Sequence, residues 1–131
     1  MPWRESFNVP PMLHRNPIPT ATRVGNMLFT SVIAGRDPVT GEVPDSPAEQ
    51  AANAFKLLGM ILEKAGATPE DVAHVTVFLK DDSARPHVNT AWLQMFPDEH
   101  SRPARHTIVL ENLAGHVQIE AVAVIQGGRS V

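Results

Sequence analysis

Two β-like stretches near the C-terminus constrain the fold most. The first follows Arg102-Pro103-Ala104 and carries Arg105, and the second spans residues 116–125 and carries Glu120. An antiparallel hairpin centred near Asn112-Leu113 would place Arg105 and Glu120 opposite one another on one face, because cross-strand partners keep a constant sum of residue numbers. An arginine among apolar neighbours needs a counter-anion, and its planar fork suits a small-molecule carboxylate as well as a glutamate. The pattern therefore predicts a site built on Arg105 and Glu120.

The rest of the chain predicts two helices and three further strands. Gly25-Asn26 is a two-residue turn between two β-like runs. The first helix begins at the capping box Ser46-Pro47-Ala48-Glu49 and ends near Gly66. A buried strand follows at residues 73–79, and a second helix runs from residue 84 or 85 to 96. The predicted order is ββαβαββ, an α+β fold in which one mixed sheet carries both helices on a single face.

The 131 residues fit one domain, 1–131, and prolines make residues 1–19 an extended N-terminal arm. The last strand is apolar on both of its faces, whereas a single layer of two helices covers only one face of a sheet. We therefore expect an oligomer that buries the second face.

Composition excludes several functions. The formal charge of −3 and the scattered arginines leave no basic stripe for nucleic acid. The chain has no cysteine, and its six histidines show no metal-ligand spacing, so we expect no metal and no cofactor. No stretch has the length of a membrane span or the pattern of a signal peptide. We expect a cytoplasmic protein without a nucleic-acid or membrane partner.

Several motifs occur together in an order that resembles one known family, the Rid proteins, which are reactive-intermediate deaminases also called the YjgF type. The resemblance covers residues 16–125. The motifs are Val24-Gly25-Asn26, Phe29-Thr30-Ser31, Asp37-Pro38-Val39-Thr40-Gly41-Glu42-Val43, Ala65-Gly66-Ala67, Val75-Thr76-Val77-Phe78-Leu79-Lys80-Asp81, Val88-Asn89, Arg102-Pro103-Ala104-Arg105 and Ile119-Glu120-Ala121-Val122-Ala123.

The resemblance implies a chorismate-mutase-like fold, a homotrimer and three clefts between subunits. It implies cofactor-free hydrolysis of an imine or enamine of a 2-amino acid to the 2-keto acid and ammonia. By position, Arg105 is similar to the family arginine that holds the substrate carboxylate, and Glu120 to the acid that orients the attacking water. Ser31 and Asn89 are similar to the polar lining.

The chain departs from the family pattern at several site positions. Ile18 stands where many members have tyrosine, and Thr107 where a cysteine is frequent. Thr107 shares the face of Arg105 by alternation, whereas His106 points the other way. His14 precedes the altered segment and is a candidate for the missing polar group. These changes favour an altered substrate, such as an aromatic or longer derivative, and a position near the 2-aminomuconate deaminase-like group.

Three alternatives remain open on sequence alone. Arg105 and Glu120 are also compatible with a structural ion pair, Ser31 with a hydrogen-bonded strand serine, and Asn89 with a turn or a subunit contact. A trimeric module that binds small carboxylates without turnover would use the same arginine. A ribonuclease or translation inhibitor is disfavoured by the acidic balance and the lack of aromatic stacking platforms.

Overall fold

The computed structural model describes residues 2–127; Met1 and residues 128–131, the ends of the predicted domain, lie outside the described residues. The described chain is one seven-stranded sheet with two α-helices, which confirms the predicted α+β class. Short 3₁₀ turns at Pro69–Asp71 and Asp82–Ala84 precede β5 and α2. The elements are β1 Arg4–Phe7, β2 Ala21–Val24, β3 Met27–Thr30, β4 Ile33–Ala34, α1 Pro47–Lys64, β5 Val72–Leu79, α2 Arg85–Met95, β6 Ala104–Val109 and β7 Val117–Val124.

The sheet is mixed, and its strand order is β1-β2-β3-β7-β5-β6, with β4 pairing with β7 after β3 ends. Strands β5 and β6 are parallel, and the other pairs are antiparallel. The predicted hairpin between the last two strands is therefore wrong, because β5 lies between them. The physical reason is α2, which returns the chain so that β6 can pair parallel to β5. Residues 110–116 then connect β6 to β7 past the end of β5.

Local signals placed the early elements correctly. Gly25, at φ +59°, supplies the left-handed residue of the β2–β3 turn, where Val24 pairs with Met27. The Ser46 hydroxyl accepts a hydrogen bond from the Glu49 amide at 3.2 Å, and α1 begins at Pro47. These observations confirm the predicted hairpin and helix start.

The structure adds two strands that the sequence pattern did not reveal. Within the predicted arm, β1 pairs with β2 at the outer edge of the sheet. The predicted strand after Asn26 is interrupted: Phe29 pairs with Val122, whereas Ile33 pairs with Ile119, so the register shifts by one residue. The Thr30 hydroxyl occupies the gap by accepting from the Ala121 amide at 2.9 Å.

The helices cover one face of the sheet and leave the other exposed, as predicted. Alternate side chains of β5 and β7 are buried beneath the helices; these are Val75, Val77, Leu79, Val117, Ile119, Ala121 and Ala123. The opposite face, called here the open face, carries Met27, Phe29, Ile108 and Val124, which are 38–41% exposed. Apolar side chains left exposed on an uncovered sheet face favour contact with a partner or with another subunit.

Gln50 of α1 connects the helix layer to the start of β7. Its side-chain oxygen accepts from the His116 and Val117 amides at 2.7 and 3.2 Å, and its amide group donates to the Pro44 carbonyl at 2.7 Å. The helix approaches Gly35 so closely that a Cβ there would lie 2.5 Å from the Gln50 Cα and carbonyl oxygen. Only glycine fits at this contact.

This close approach predicts opposite effects for two Gly-to-Ala substitutions. Gly35→Ala should lower the free energy of unfolding by about 1–3 kcal/mol, because backbone must move to admit the methyl group. Gly59→Ala, inside α1 with nothing within 4 Å of its new Cβ, should raise it by about 0.5–1 kcal/mol. Urea unfolding at one subunit concentration measures both values. Equal changes in the free energy of unfolding for the two substitutions would contradict the close approach of Gly35 to Gln50.

Candidate functional site

Arg105 lies on the helix-covered face of the edge strand β6. It is in register with the buried Val75 of β5, and its guanidinium carbon lies 5.1 Å from the centre of the Trp92 ring of α2. The Arg105 Nε donates to the Thr107 hydroxyl at 3.0 Å. The aromatic face and the hydroxyl hold the guanidinium in one place at the rim of the sheet.

Arg105 has no acidic partner within residues 2–127: the ion pairs found there are Arg85 with Asp82 and His100 with Glu99. Burial, followed by the positive charge of Arg85, lowers the pKa of the Arg105 guanidinium below its usual value. A half-buried cation in this setting gains from an anion that the described chain does not provide. The local chemistry therefore favours binding of a carboxylate.

Glu120 lies on the open face. It is in register with Thr76 of β5, which is itself in register with His106 of β6. The residue pairs Val75–Arg105 and Thr76–Glu120 belong to opposite faces, because successive side chains of β5 alternate. The prediction that Arg105 and Glu120 face one another within one chain is therefore wrong, and the structural ion pair between them is absent from the described chain. His106 does point away from Arg105, as predicted.

Two candidate residues accompany Arg105. Thr107 shares its face, in register with Val77, and accepts the hydrogen bond from Arg105. Asn89 is an exposed residue of α2, three positions before Trp92, so the two are neighbours on the helix surface. We call Arg105, Thr107, Asn89 and Trp92 the arginine group.

The other candidates lie with Glu120 or in the N-terminal arm. Continuing the β3–β7 register from Phe29 and Val122 brings Ser31 level with Glu120 or Ala121. The Ser31 hydroxyl donates to the Pro19 carbonyl at 2.7 Å, which ties the arm to this end of β3. His14 and Ile18 are exposed and line one hollow of about 460 Å³ in the arm. We call Glu120, Ser31, Ile18 and His14 the glutamate group.

Sequence reasoning missed the contact between Trp92 and Arg105. Trp92 is 8% exposed and packs edge-to-face against Phe55 and Phe96, as a core residue does. The signal in the sequence was an apolar stripe, formed by Val88, Ala91, Trp92 and Met95, on the helix that connects β5 to β6, since such a helix packs against the strands it joins. A parallel β5–β6 pair would have placed Arg105 beneath it.

No cluster of three or more potential metal-ligating side chains occurs in the stretch from residue 2 to residue 127. Within the same stretch, neither helix combines the length and apolar character required to cross a bilayer.

Comparison with known proteins identifies the family. The sequence profile described as Endoribonuclease L-PSP matches residues 14–126. The chain belongs to this family, that of the Rid or YjgF-type proteins. It is 34% identical over 110 residues to a RutC family protein of Aquifex aeolicus, covering 82% of this chain and 88% of that one. It is also 34% identical over 102 residues to the 2-iminobutanoate/2-iminopropanoate deaminase of Escherichia coli K12. This match covers 77% of this chain and 80% of that one.

A solved structure agrees with the fold of this Rid family member. The crystal structure of the YjgF gene product from Escherichia coli superposes with a TM-score of 0.78 at 32% identity, covering 86% of this chain and 91% of that chain. The mixed sheet with two helices predicted from the sequence is thus the architecture of the family.

The unpaired state of Arg105 predicts its contribution to stability. Arg105→Met should lower the free energy of unfolding by only about 1 kcal/mol, because it removes one cation–π contact and one hydrogen bond to Thr107 but leaves no acid without a partner. Arg102→Met is the matched control. Arg102 donates to the Phe96 and Pro97 carbonyls at 2.9 and 3.2 Å. Its replacement should therefore lower the free energy of unfolding more than Arg105→Met does. Urea unfolding decides, and a loss of about 3 kcal/mol or more for Arg105→Met would show a buried ion pair instead.

Proposed function

We propose that this protein is a homotrimeric, cofactor-free deaminase that hydrolyses an imine or enamine of a 2-amino acid to the 2-keto acid and ammonia. The observation that carries the proposal is the half-buried guanidinium of Arg105, fixed by Trp92 and Thr107 without an acid partner among the described residues. The deaminase name of relatives about one-third identical supports the reaction class.

The separation of the two residue groups supports a site between subunits. A substrate whose carboxylate is held by Arg105 cannot meet Glu120 of the same chain through the sheet. The open face carries apolar side chains that an oligomer would bury, and it carries Glu120 as well. In the proposed trimer, the arginine group of one subunit meets the glutamate group of the next, giving three equivalent clefts.

The proposed reaction needs only these residues and water. Arg105 holds the substrate carboxylate with its planar fork and orients the adjacent carbon–nitrogen double bond. Glu120 accepts a proton from a water molecule as the water oxygen bonds to the carbon of the protonated imine, which gives a neutral carbinolamine. Glu120 then returns this proton to the nitrogen. As the carbon–nitrogen bond breaks, Glu120 takes the hydroxyl proton, so the carbonyl of the keto acid forms and ammonia leaves; the proton on Glu120 passes to ammonia, which restores the carboxylate. Atoms and charges balance without a redox step.

Variants of the two residues should separate binding from chemistry. Arg105→Ala should abolish turnover, and Arg105→Lys should keep little of it, because an ammonium cannot reproduce a two-point grip on a carboxylate. Glu120→Gln should still bind 2-oxobutanoate but hydrolyse about a hundredfold more slowly. The measurement is release of 2-oxobutanoate from 2-iminobutanoate made in situ by a threonine dehydratase. Binding without turnover by the wild type would instead support a non-catalytic module.

Mixed trimers test where the cleft lies. When Arg105→Ala and Glu120→Gln chains are refolded together in equal amounts, about one-quarter of intersubunit clefts should contain both intact residues. The mixture should therefore recover about a quarter of wild-type turnover, although each variant alone is inactive. Light scattering of the wild type should give three times the chain mass. A mixture as inactive as its components would place both residues in one chain's site or remove one from the mechanism.

A further inference from the structure

Arg85 is a second arginine beside the arginine group. It is the first residue of α2, and its spacing from Val88 and Trp92 places all three on one side of the helix. Val88 and Trp92 are buried against the sheet, whereas the Arg85 side chain remains 42% exposed at the rim. The Arg85 guanidinium therefore reaches the surface on the side of α2 that faces β6.

The direction of Arg105 brings the two guanidinium groups toward each other. Strands β5 and β6 are parallel, so the helix that connects them runs back antiparallel to both. Trp92 therefore lies near the start of β6, and Arg85 lies nearer its end. Arg105 bends along the strand toward Thr107, to which its Nε donates. This is the direction of Arg85, whose positive charge also lowers the pKa of Arg105.

Of the two arginines, only Arg85 has an acid partner within residues 2–127. Asp82 accepts from the Arg85 Nε at 2.9 Å and lies 2.8 Å from its Nη2. The Asp82 side chain is 66% exposed, and an exposed ion pair of this kind is weak and screened by salt. A substrate with one carboxylate would balance Arg105 and leave Arg85 only partly compensated.

We propose that the substrates are imines of dicarboxylic 2-amino acids, with the 2-carboxylate on Arg105 and the distal carboxylate on Arg85. The inference rests on the proposed function and names its substrate class. Arg85 is then a specificity residue: it contacts the end of the substrate away from the reacting carbon and discriminates a charged side chain from an apolar one.

Binding of two unreactive probes tests the inference without turnover. By titration calorimetry, 2-oxoglutarate should bind the wild-type protein about tenfold more tightly than 2-oxobutanoate, because it gains a second charge-assisted contact. Arg85→Gln should remove that tenfold advantage and leave 2-oxobutanoate affinity unchanged. Lys64→Gln is the control: it also removes one positive charge, from the exposed last turn of α1, and should leave both affinities unchanged.

Asp82→Asn supplies the converse variant. It frees Arg85 from its competing carboxylate and should strengthen 2-oxoglutarate binding while sparing 2-oxobutanoate. Equal affinity of the wild type for the two probes would overturn the inference, and so would an equal loss of both in Arg85→Gln. A similar loss of 2-oxoglutarate affinity in Lys64→Gln would show that the effect comes from net charge, which would also overturn the inference.

Turnover separates this inference from the function on which it rests. Imines of glutamate and of 2-aminobutanoate are made in situ by amino-acid oxidases, and keto-acid release is followed above the uncatalysed rate. We expect Arg85→Gln to lower kcat/KM about tenfold for the glutamate imine alone. Turnover of both imines with no preference would refute the dicarboxylate class and leave the deaminase intact. No turnover of either imine, with a 2-oxoglutarate preference that depends on Arg85, would refute the deaminase and keep the dicarboxylate site.

Discussion

The parallel pairing of β5 with β6 is the constraint on which the rest of the structure depends. Because β5 lies between β6 and β7, the strand that carries Arg105, β6, is at the edge of the described sheet. Glu120 lies two strands away, on β7. The alternation of β5 then assigns the two residues to opposite faces through Val75 and Thr76. One covered face and one open face thus each hold half of the candidate chemistry.

The arginine group shows how a fold keeps a half-buried cation without neutralising it. A glutamate beside Arg105 would pair with its charge and occupy the position of the proposed substrate carboxylate. The structure instead places an aromatic face and a single hydroxyl acceptor there, which orient the guanidinium while leaving its charge uncompensated within the described residues. Burial, followed by the positive charge of Arg85, lowers the pKa of the Arg105 guanidinium, and the proposed substrate carboxylate would offset this effect.

The sequence was sufficient wherever a signal was local. Ser46, Gly25 and the β-branched run of β5 each act within a few residues, and the structure places a helix start, a turn and a strand where they predict. Pairing across the sheet is not local. A constant index sum relates two strands only if they are neighbours, and nothing within residues 102–125 reports that β5 inserts between them. The single-residue register shift between Phe29 and Ile33 also depends on a distant partner, β7.

The division of the candidate residues between faces links specificity to assembly. Thr107 and Arg85 are on the side of β6 that the helices cover. Ile18 and His14 line a hollow in the N-terminal arm, and Glu120 is on the open face. In the proposed trimer, the first set comes from one subunit and the second from its neighbour. Substitutions in either set can then change which substrate fits without disturbing the packing of the other, because the two sets share no contact within a chain. A site divided in this way also makes activity depend on association, since a separated subunit would hold a carboxylate at Arg105 with no glutamate to direct the water.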